Sequence, residues 1–321
     1  MRIFYHNLPL NQLLKSCNII YTPMKNIILK NRKKEPTFLN NLNGKEWVKT
    51  TKTVWHNLTD IKNFTFIENA IETGILFSES PPRDELKKLH PATFSENDVA
   101  KLIRFFTKEK ETVLDPFMGS GSSAIASIKE NRNFIGIELY EEWFNIAQER
   151  VSNSKNLFNS QVDIKVYCND SYEILKSIND NSIDFIVTSP PYWGILDKID
   201  HKAKQRIKNN FKTNYGKHNH DLSNIEKYSD FIQALKMHFK EYYRVLKTKK
   251  YVSIIVSDFR HKQKYYMFHA DIANALEDVG FIIQGLIVLV QDNKKLYPYG
   301  FPTTFVPNIA NQFIVIGRKI N

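Results

Sequence analysis

From about residue 110 onward the chain alternates β-type and α-type segments, and this constrains its fold more than any other feature. Strand-type runs fall at 112–116, 133–139, 163–169, 183–188, 251–257, 281–290 and 312–317, with helical patterns near 121–130, 141–152, 171–178, 226–247 and 267–279. Such alternation predicts a wound, mostly parallel α/β sheet with helices on both faces. The helix at 226–247 is the clearest, because Tyr228, Phe231, Leu235, Phe239, Tyr242 and Leu246 recur at threes and fours along one face. No crossover helix fits between the last two strands, so they are expected to pair antiparallel. The count is then seven strands with the last reversed.

Two segments stand outside the alternation. Residues 194–225 form a polar, basic insertion too long for an ordinary connection, hence functional or mobile. Residues 1–88 form a basic N-terminal region, ending in the turn-like Ser80-Pro81-Pro82-Arg83, ahead of a domain expected over 89–321.

Charge is segregated between these parts. The formal net charge is +11, and residues 1–60 alone carry ten Lys/Arg against three Asp/Glu. Residues 181–220 add seven basic against three acidic, whereas 89–180 are acidic on balance. A lysine-rich proteome would raise basic residues everywhere. It leaves the acidic middle unexplained, so the pattern points to a polyanion such as nucleic acid. The run Lys30-Asn31-Arg32-Lys33-Lys34 reads either as a phosphate-binding arm or as a linker. The longest apolar stretch, residues 281–290, is too short to span a bilayer, and no secretory pattern opens the chain. Two cysteines, Cys17 and Cys168, make no disulfide framework, which fits a cytoplasmic protein. Cys168, within a strand, is expected to be a buried core residue.

The first strand runs into Asp115-Pro116-Phe117-Met118-Gly119-Ser120-Gly121 and then a helix. Glycines at such a turn let a ligand approach the backbone, although glycine there also serves packing alone. The next strand ends in Glu138, 17 residues after Gly121. A carboxylate at that place can accept both hydroxyls of a ribose. The third strand ends in Asn169-Asp170, within reach of an adenine amine.

This turn lacks the third glycine of the dinucleotide fingerprint. It resembles the DPFxGSG motif of S-adenosylmethionine-dependent amino-methyltransferases. The resemblance implies that Asp115, Phe117, Gly119 and Gly121 line the methionine end, Glu138 the ribose and Asp170 the adenine. His90-Pro91-Ala92-Thr93-Phe94 is similar to the same family's HPAxF segment, which places Phe94 beside the methionine moiety. The other reading of that segment is a helix N-terminus capped by Ser95.

The fourth strand delivers Thr188-Ser189-Pro190-Pro191-Tyr192-Trp193 at its carboxyl end, where ligands of such sheets bind. An exocyclic amine conjugated to a base is a poor nucleophile. Acceptors around its hydrogens turn its lone pair towards a sulfonium methyl. The Ser189 hydroxyl and the Pro190 carbonyl can be those acceptors, with Pro190 and Pro191 holding the carbonyl rigid. Tyr192 offers a face for stacking a flipped base. A proline turn before an aromatic core residue would look the same in isolation.

Together these motifs resemble an amino-methylating DNA methyltransferase of the N4-cytosine/N6-adenine group over roughly residues 89–321. Tyr243-Arg244-Val245-Leu246-Lys247 and Ser257-Asp258-Phe259-Arg260 extend the resemblance. It implies the class I S-adenosylmethionine-dependent methyltransferase fold, double-stranded DNA as partner, base flipping and direct transfer. A cognate restriction endonuclease is a further partner that it suggests. Serine ahead of Pro-Pro favours cytosine N4. Adenine N6, an RNA amine and an inactive cofactor-binding protein are the alternatives. C5 methylation is disfavoured, since it needs a cysteine nucleophile.

Lys198, Lys202, Lys204, Arg206 and Lys208 follow the tetrapeptide, interleaved with aromatics further on, and are expected to clamp DNA. A solvated loop is the plain alternative. His218 and His220 have no third ligand nearby, so no metal is expected. The aromatic, proline-rich stretch 296–302 is expected on the active face, or as a flap over the sheet edge.

Overall fold

The computed structural model describes residues 95–158, 161–194, 218–291 and 294–321, together with Gly44, Lys45, the strand Ile75–Phe77, Leu86 and Lys208. The run at 30–34, residues 90–94 with Phe94, and Lys198, Lys202, Lys204 and Arg206 lie outside the described residues.

The elements are β1 (Ile75–Phe77), α1 (Glu96–Phe106), β2 (Thr112–Asp115), α2 (Ser122–Lys129), β3 (Asn133–Glu138), α3 (Glu141–Phe158), β4 (Ile164–Cys168) and α4 (Ser171–Ser177). They continue with β5 (Ile183–Thr188), α5 (Tyr228–Val245), β6 (Leu246–Val256), β7 (Phe259–His261), β8 (Lys264–Tyr266), α6 (Phe268–Glu277), β9 (Ile282–Val290) and β10 (Asn311–Arg318). The large sheet has the order β1-β9-β10-β6-β5-β2-β3-β4. All seven expected strands are present, and β10 runs antiparallel to both β6 and β9. An eighth, β1, comes from within residues 1–88 and pairs parallel with the end of β9.

Side chains alternate across the strands, so the sheet carries a core on each face. Leu114, Ile186, Val252 and Ile254 pack with Phe231, Leu235 and Phe239 of α5, Leu175 of α4 and Phe268 and Ile272 of α6. Val113, Phe185, Val187 and Ile255 pack on the opposite face with Ile103 of α1, Ala124 and Ile128 of α2 and Val151 of α3. Among the described residues, three helices on each side leave the central strands buried on both faces, and every residue of β5 is buried.

The chain winds from β2 outward to β3 and β4, then returns to lay β5 on the other side of β2. Strand order therefore reverses between β2 and β5, and the crevice at their carboxyl ends is the expected ligand site of an open sheet. Since β9 is antiparallel to β10, and β10 to β6, the 291–310 connection leaves the sheet at that same end.

Three local features depart from the sequence reading. The strand after α5 begins at Leu246 rather than at 251, because the helix passes into β6 without a loop. The β7–β8 hairpin was not legible, being only three residues per strand. Cys168 is exposed rather than buried. The reason is that β4 is an edge strand: among the described residues it pairs with β3 alone, and none of its own residues is fully buried.

Candidate active site

The glycine turn is held from three sides. Gly119 and Gly121 have φ of +55° and +81°, backbone that favours glycine, and Gly121 is the residue from which α2 starts. A Cβ on Gly121 would also stand 3.1 Å from the Ala147 Cβ of α3. On β3, a Cβ at Gly136 would come 2.4 Å from the Met118 sulfur, so this strand glycine lets the turn tuck down. From below, buried Arg150 donates to the Ser120 carbonyl and pairs with Glu96 at 2.5 Å. Glu96 opens α1, whose N-cap is Ser95, accepting from the Asp98 N–H. The capping expected of Ser95 is therefore present.

Asp115 lies beneath the turn with no solvent exposure. One oxygen accepts from the Phe117 N–H at 3.1 Å and the Thr188 hydroxyl at 2.6 Å, and the other accepts from the Ser123 hydroxyl at 2.5 Å. Burial pushes its pKa up to about 6, against the pull of those three donors. Asp115 thus binds together the end of β2, the start of α2 and the end of β5.

Glu138 ends β3, nearly buried. Its carboxylate accepts from the Gly119 N–H at 2.9 Å and the Tyr140 N–H at 3.0 Å. Burial raises its pKa to about 7, with the charge on Asp115 a lesser contribution and the backbone donors opposing. A carboxylate has about four lone-pair sites, and the N–H groups of Gly119, Tyr140 and Leu139 are its donors among the described residues, so a further donor can be taken. Asp170 caps α4, one oxygen accepting from the Tyr172 N–H at 2.8 Å while the other meets the ring of His220. Phe117 is half-buried, its ring 5.4 Å from that of His238.

His238, on α5, was not picked out by the sequence. It is buried, with Nδ1 at 2.9 Å from the Ala234 carbonyl and Nε2 at 3.0 Å from the Ser171 hydroxyl. The carbonyl requires a proton on Nδ1, and in the neutral ring that burial favours Nε2 accepts from the Ser171 hydroxyl. Burial pulls its pKa down, in keeping with that state.

The tetrapeptide leaves β5 directly beside this turn. Thr188 and Pro190 are buried, while Ser189, Pro191 and Tyr192 are half-buried at the cleft. The Tyr192 hydroxyl accepts from the Ser257 N–H at 2.8 Å, and the side chains of Gln312 and Ser189 also bond to it. Burial pushes its pKa up. Its ring packs at 5.9 Å on Phe268 and edge-on to Phe259 at 6.4 Å. Ser257 in turn donates to the Asn311 carbonyl at 2.8 Å, joining the tetrapeptide to β10. Trp193 donates its indole N–H to the Ile225 carbonyl at 2.7 Å and lies within a cluster of Tyr228, His261 and Tyr266.

The structure thus brings Asp115, Phe117, Gly119, Gly121, Glu138 and Asp170 together with Ser189, Pro190, Pro191 and Tyr192 at the carboxyl ends of β2, β3, β4 and β5, with Asp115 enclosed beneath the glycine turn. Lys208 is exposed. Thr188, Ser257, Arg150, Glu96 and His238 complete the frame. Nothing in their sequence spacing marks them, because each acts on another element across 26 to 73 positions.

An open α/β sheet whose switch point brings a glycine turn against a Ser-Pro-Pro-Tyr loop defines the class of the protein. The chain belongs to the DNA methylase family, whose model matches residues 14–149 and 183–316, spanning both halves of the cleft. A model of RNA cap guanine-N2 methyltransferases also matches residues 110–213.

Among curated proteins, the orphan methyltransferase M.BamHII of Bacillus amyloliquefaciens is 40% identical over 70 residues, 22% of this chain and 26% of that protein. The type II methyltransferase M.HindIII of Haemophilus influenzae is 43% identical over 72 residues, 22% of this chain and 23% of that one. The matches thus span about a quarter of those relatives' length. A SAM-dependent methyltransferase from Methanosarcina mazei shares 16% identity at a TM-score of 0.44, over 68% of this chain and 97% of that one. Among the described residues no helix is long and apolar enough to cross a membrane.

Proposed function

We propose that the protein transfers the methyl group of S-adenosylmethionine to an exocyclic amine in DNA, with cytosine N4 as the acceptor. The observation that carries the reading is the Thr188–Asp115 hydrogen bond, which locks the tetrapeptide to the glycine turn at the switch point.

The residues fit the cofactor. Glu138 keeps lone-pair capacity for a ribose hydroxyl, and burial raises its pKa against its backbone donors. The left-handed turn at Gly119–Gly121 keeps side chains clear of the methionine end, beside Phe117. When bound, the cofactor supplies an electrophilic sulfonium methyl.

The chain's own part is to bind and orient. The Ser189 hydroxyl and the Pro190 carbonyl accept from the amine's hydrogens and aim its lone pair. Tyr192 keeps a partly exposed ring at the cleft for the flipped base, while its hydroxyl is anchored by Ser257. No cysteine is needed, and Cys168 at the sheet edge takes no part. The basic segment holding Lys198, Lys202, Lys204, Arg206 and Lys208 grips phosphates.

Serine at 189 favours cytosine; adenine N6 is the second reading, since its amine presents the same two hydrogens. DNA from a host expressing the protein, digested to nucleosides and analysed by mass spectrometry, decides between them. N4-methylcytosine is the expected product. N6-methyladenine would move the assignment to adenine, and unmodified DNA would overturn the reading.

A further inference from the structure

The chain returns from the basic insertion at His218 and packs over the carboxyl ends of β3 and β4. Buried Asp221 accepts from the Tyr140 hydroxyl at 2.7 Å and, through its other oxygen, from the Ser223 N–H at 2.8 Å. The second bond caps the short 3-10 turn Leu222–Asn224. The Asn224 side chain donates back to the His218 carbonyl at 3.2 Å. The His218 ring stands edge-on to Tyr140, at 6.2 Å, and to His220, at 5.5 Å. Residues 218–224 are therefore a strap whose shape is set by its own hydrogen bonds and whose anchor is Tyr140, two residues beyond Glu138.

That shape fixes where His220 falls. Its Nδ1 meets Oδ2 of Asp170, while Oδ1 of Asp170 is already committed to the helix N–H of Tyr172. The Asp170 side chain is 18% exposed and that of His220 56%. The outward carboxylate oxygen is thus the one beneath the imidazole. The imidazole therefore lies where a ligand amine would approach that oxygen.

We propose that His220 competes with the adenine amine of the cofactor for Asp170, and that its exposed side chain turns aside when the nucleoside binds. This rests on the proposed function and on Asp170 being the adenine acceptor, as the resemblance to amino-methyltransferases implies. The exchange is cheap, because the imidazole is already 56% exposed and gains hydration on leaving.

The test is calorimetric titration of S-adenosylhomocysteine into the full chain and into the His220→Ala and Asp170→Asn variants. Asparagine keeps the oxygen that caps α4 while losing the second acceptor. His220→Ala is expected to bind about two- to fivefold more tightly than the parent, the worth of one exposed contact. Asp170→Asn is expected to bind more weakly, and adding His220→Ala to it should bring no gain. S-Inosylhomocysteine, which carries a carbonyl oxygen in place of the amine, should show no gain on His220→Ala either. Unchanged or weaker affinity in His220→Ala, or an equal gain for both ligands, overturns the competition while leaving Asp170 as the acceptor. Parent-like affinity in Asp170→Asn overturns the Asp170 assignment itself, and the competition with it.

Discussion

Thr188 donates its hydroxyl to Oδ1 of Asp115 across 2.6 Å, and neither residue is exposed to solvent. The two sit at the ends of neighbouring parallel strands on either side of the switch point, so this bond sets the gap between the glycine turn and the tetrapeptide. Thr188→Val keeps the shape and removes the donor. It is expected to cost about 1–3 kcal/mol of stability, because a buried carboxylate loses a partner. Methyl transfer at saturating cofactor is expected to slow as the two loops lose register. Urea denaturation and single-turnover transfer read the two effects. A stability loss with an unchanged transfer rate would reduce the bond to a structural tie.

Ser189→Ala removes an acceptor for the target amine and leaves the Asp115 carboxylate network in place. Affinity for cofactor and DNA should change little, while single-turnover transfer falls by about two orders of magnitude, the usual effect of losing one preorganised polar contact. A parent-like rate would leave Ser189 a turn residue and remove the basis for the cytosine assignment.

Tyr192 separates stacking from anchoring. Tyr192→Phe keeps the ring and strands the Ser257 N–H, with an expected stability loss of about 1 kcal/mol and little change in DNA affinity. Tyr192→Ala also removes the stacking face, weakening DNA binding by roughly 1–3 kcal/mol. Equal DNA affinities for the two variants would argue that no base stacks on this ring.

Glu138 gives cofactor binding a pH dependence. Its pKa is raised by burial to about 7, so between about 4.5, its ordinary value, and 7 the folded protein holds a proton that the unfolded chain has lost. The stability this group contributes is therefore fully present below the ordinary carboxyl range and is lost as pH rises through about 7. Ribose hydroxyls donate to the ionised form, so cofactor affinity should rise as pH climbs from 6 to 8, in the range of about 7 for this acid. Proton release should accompany binding at the lower end. Titrations in buffers of different ionisation enthalpy measure that release. Glu138→Gln should weaken binding and flatten the profile, and a flat profile in the parent would remove Glu138 from the ribose site.

Arg150 and Glu96 form a buried pair beneath Ser120. Arg150→Ala leaves Glu96 without its cation and the Ser120 carbonyl without its donor. A loss of about 3–5 kcal/mol is expected from denaturant curves. A loss under about 1 kcal/mol would mean that the pair contributes no more than a surface contact.

DNA binding should follow the counterion rule, log affinity falling linearly with log salt at about −0.9 per phosphate neutralised. Replacing Lys198, Lys202 and Lys204 by alanine should flatten that slope by roughly two to three units. An unchanged slope would return the segment to a solvated loop.

The order of elements, the reversed last strand and the places of the glycine turn, Glu138, Asp170 and the tetrapeptide were legible in the sequence. Each is a local pattern: a period of two or 3.6, or a motif at the end of one strand. What tertiary structure alone decided is how those motifs meet. In the sequence Thr188 is no more than the first letter of its motif, and its partner Asp115 lies 73 residues away. Gly136 looked like one more strand residue, yet it is the space that Met118 fills. Cys168 read as core because it stands in a strand, but position in a strand says nothing about the side of the sheet on which neighbours are missing. The strap over Asp170 was invisible for the same reason. Local propensity sets the backbone of each segment, whereas burial, hydrogen-bond partners and the pKa values that follow depend on which segments the fold brings side by side.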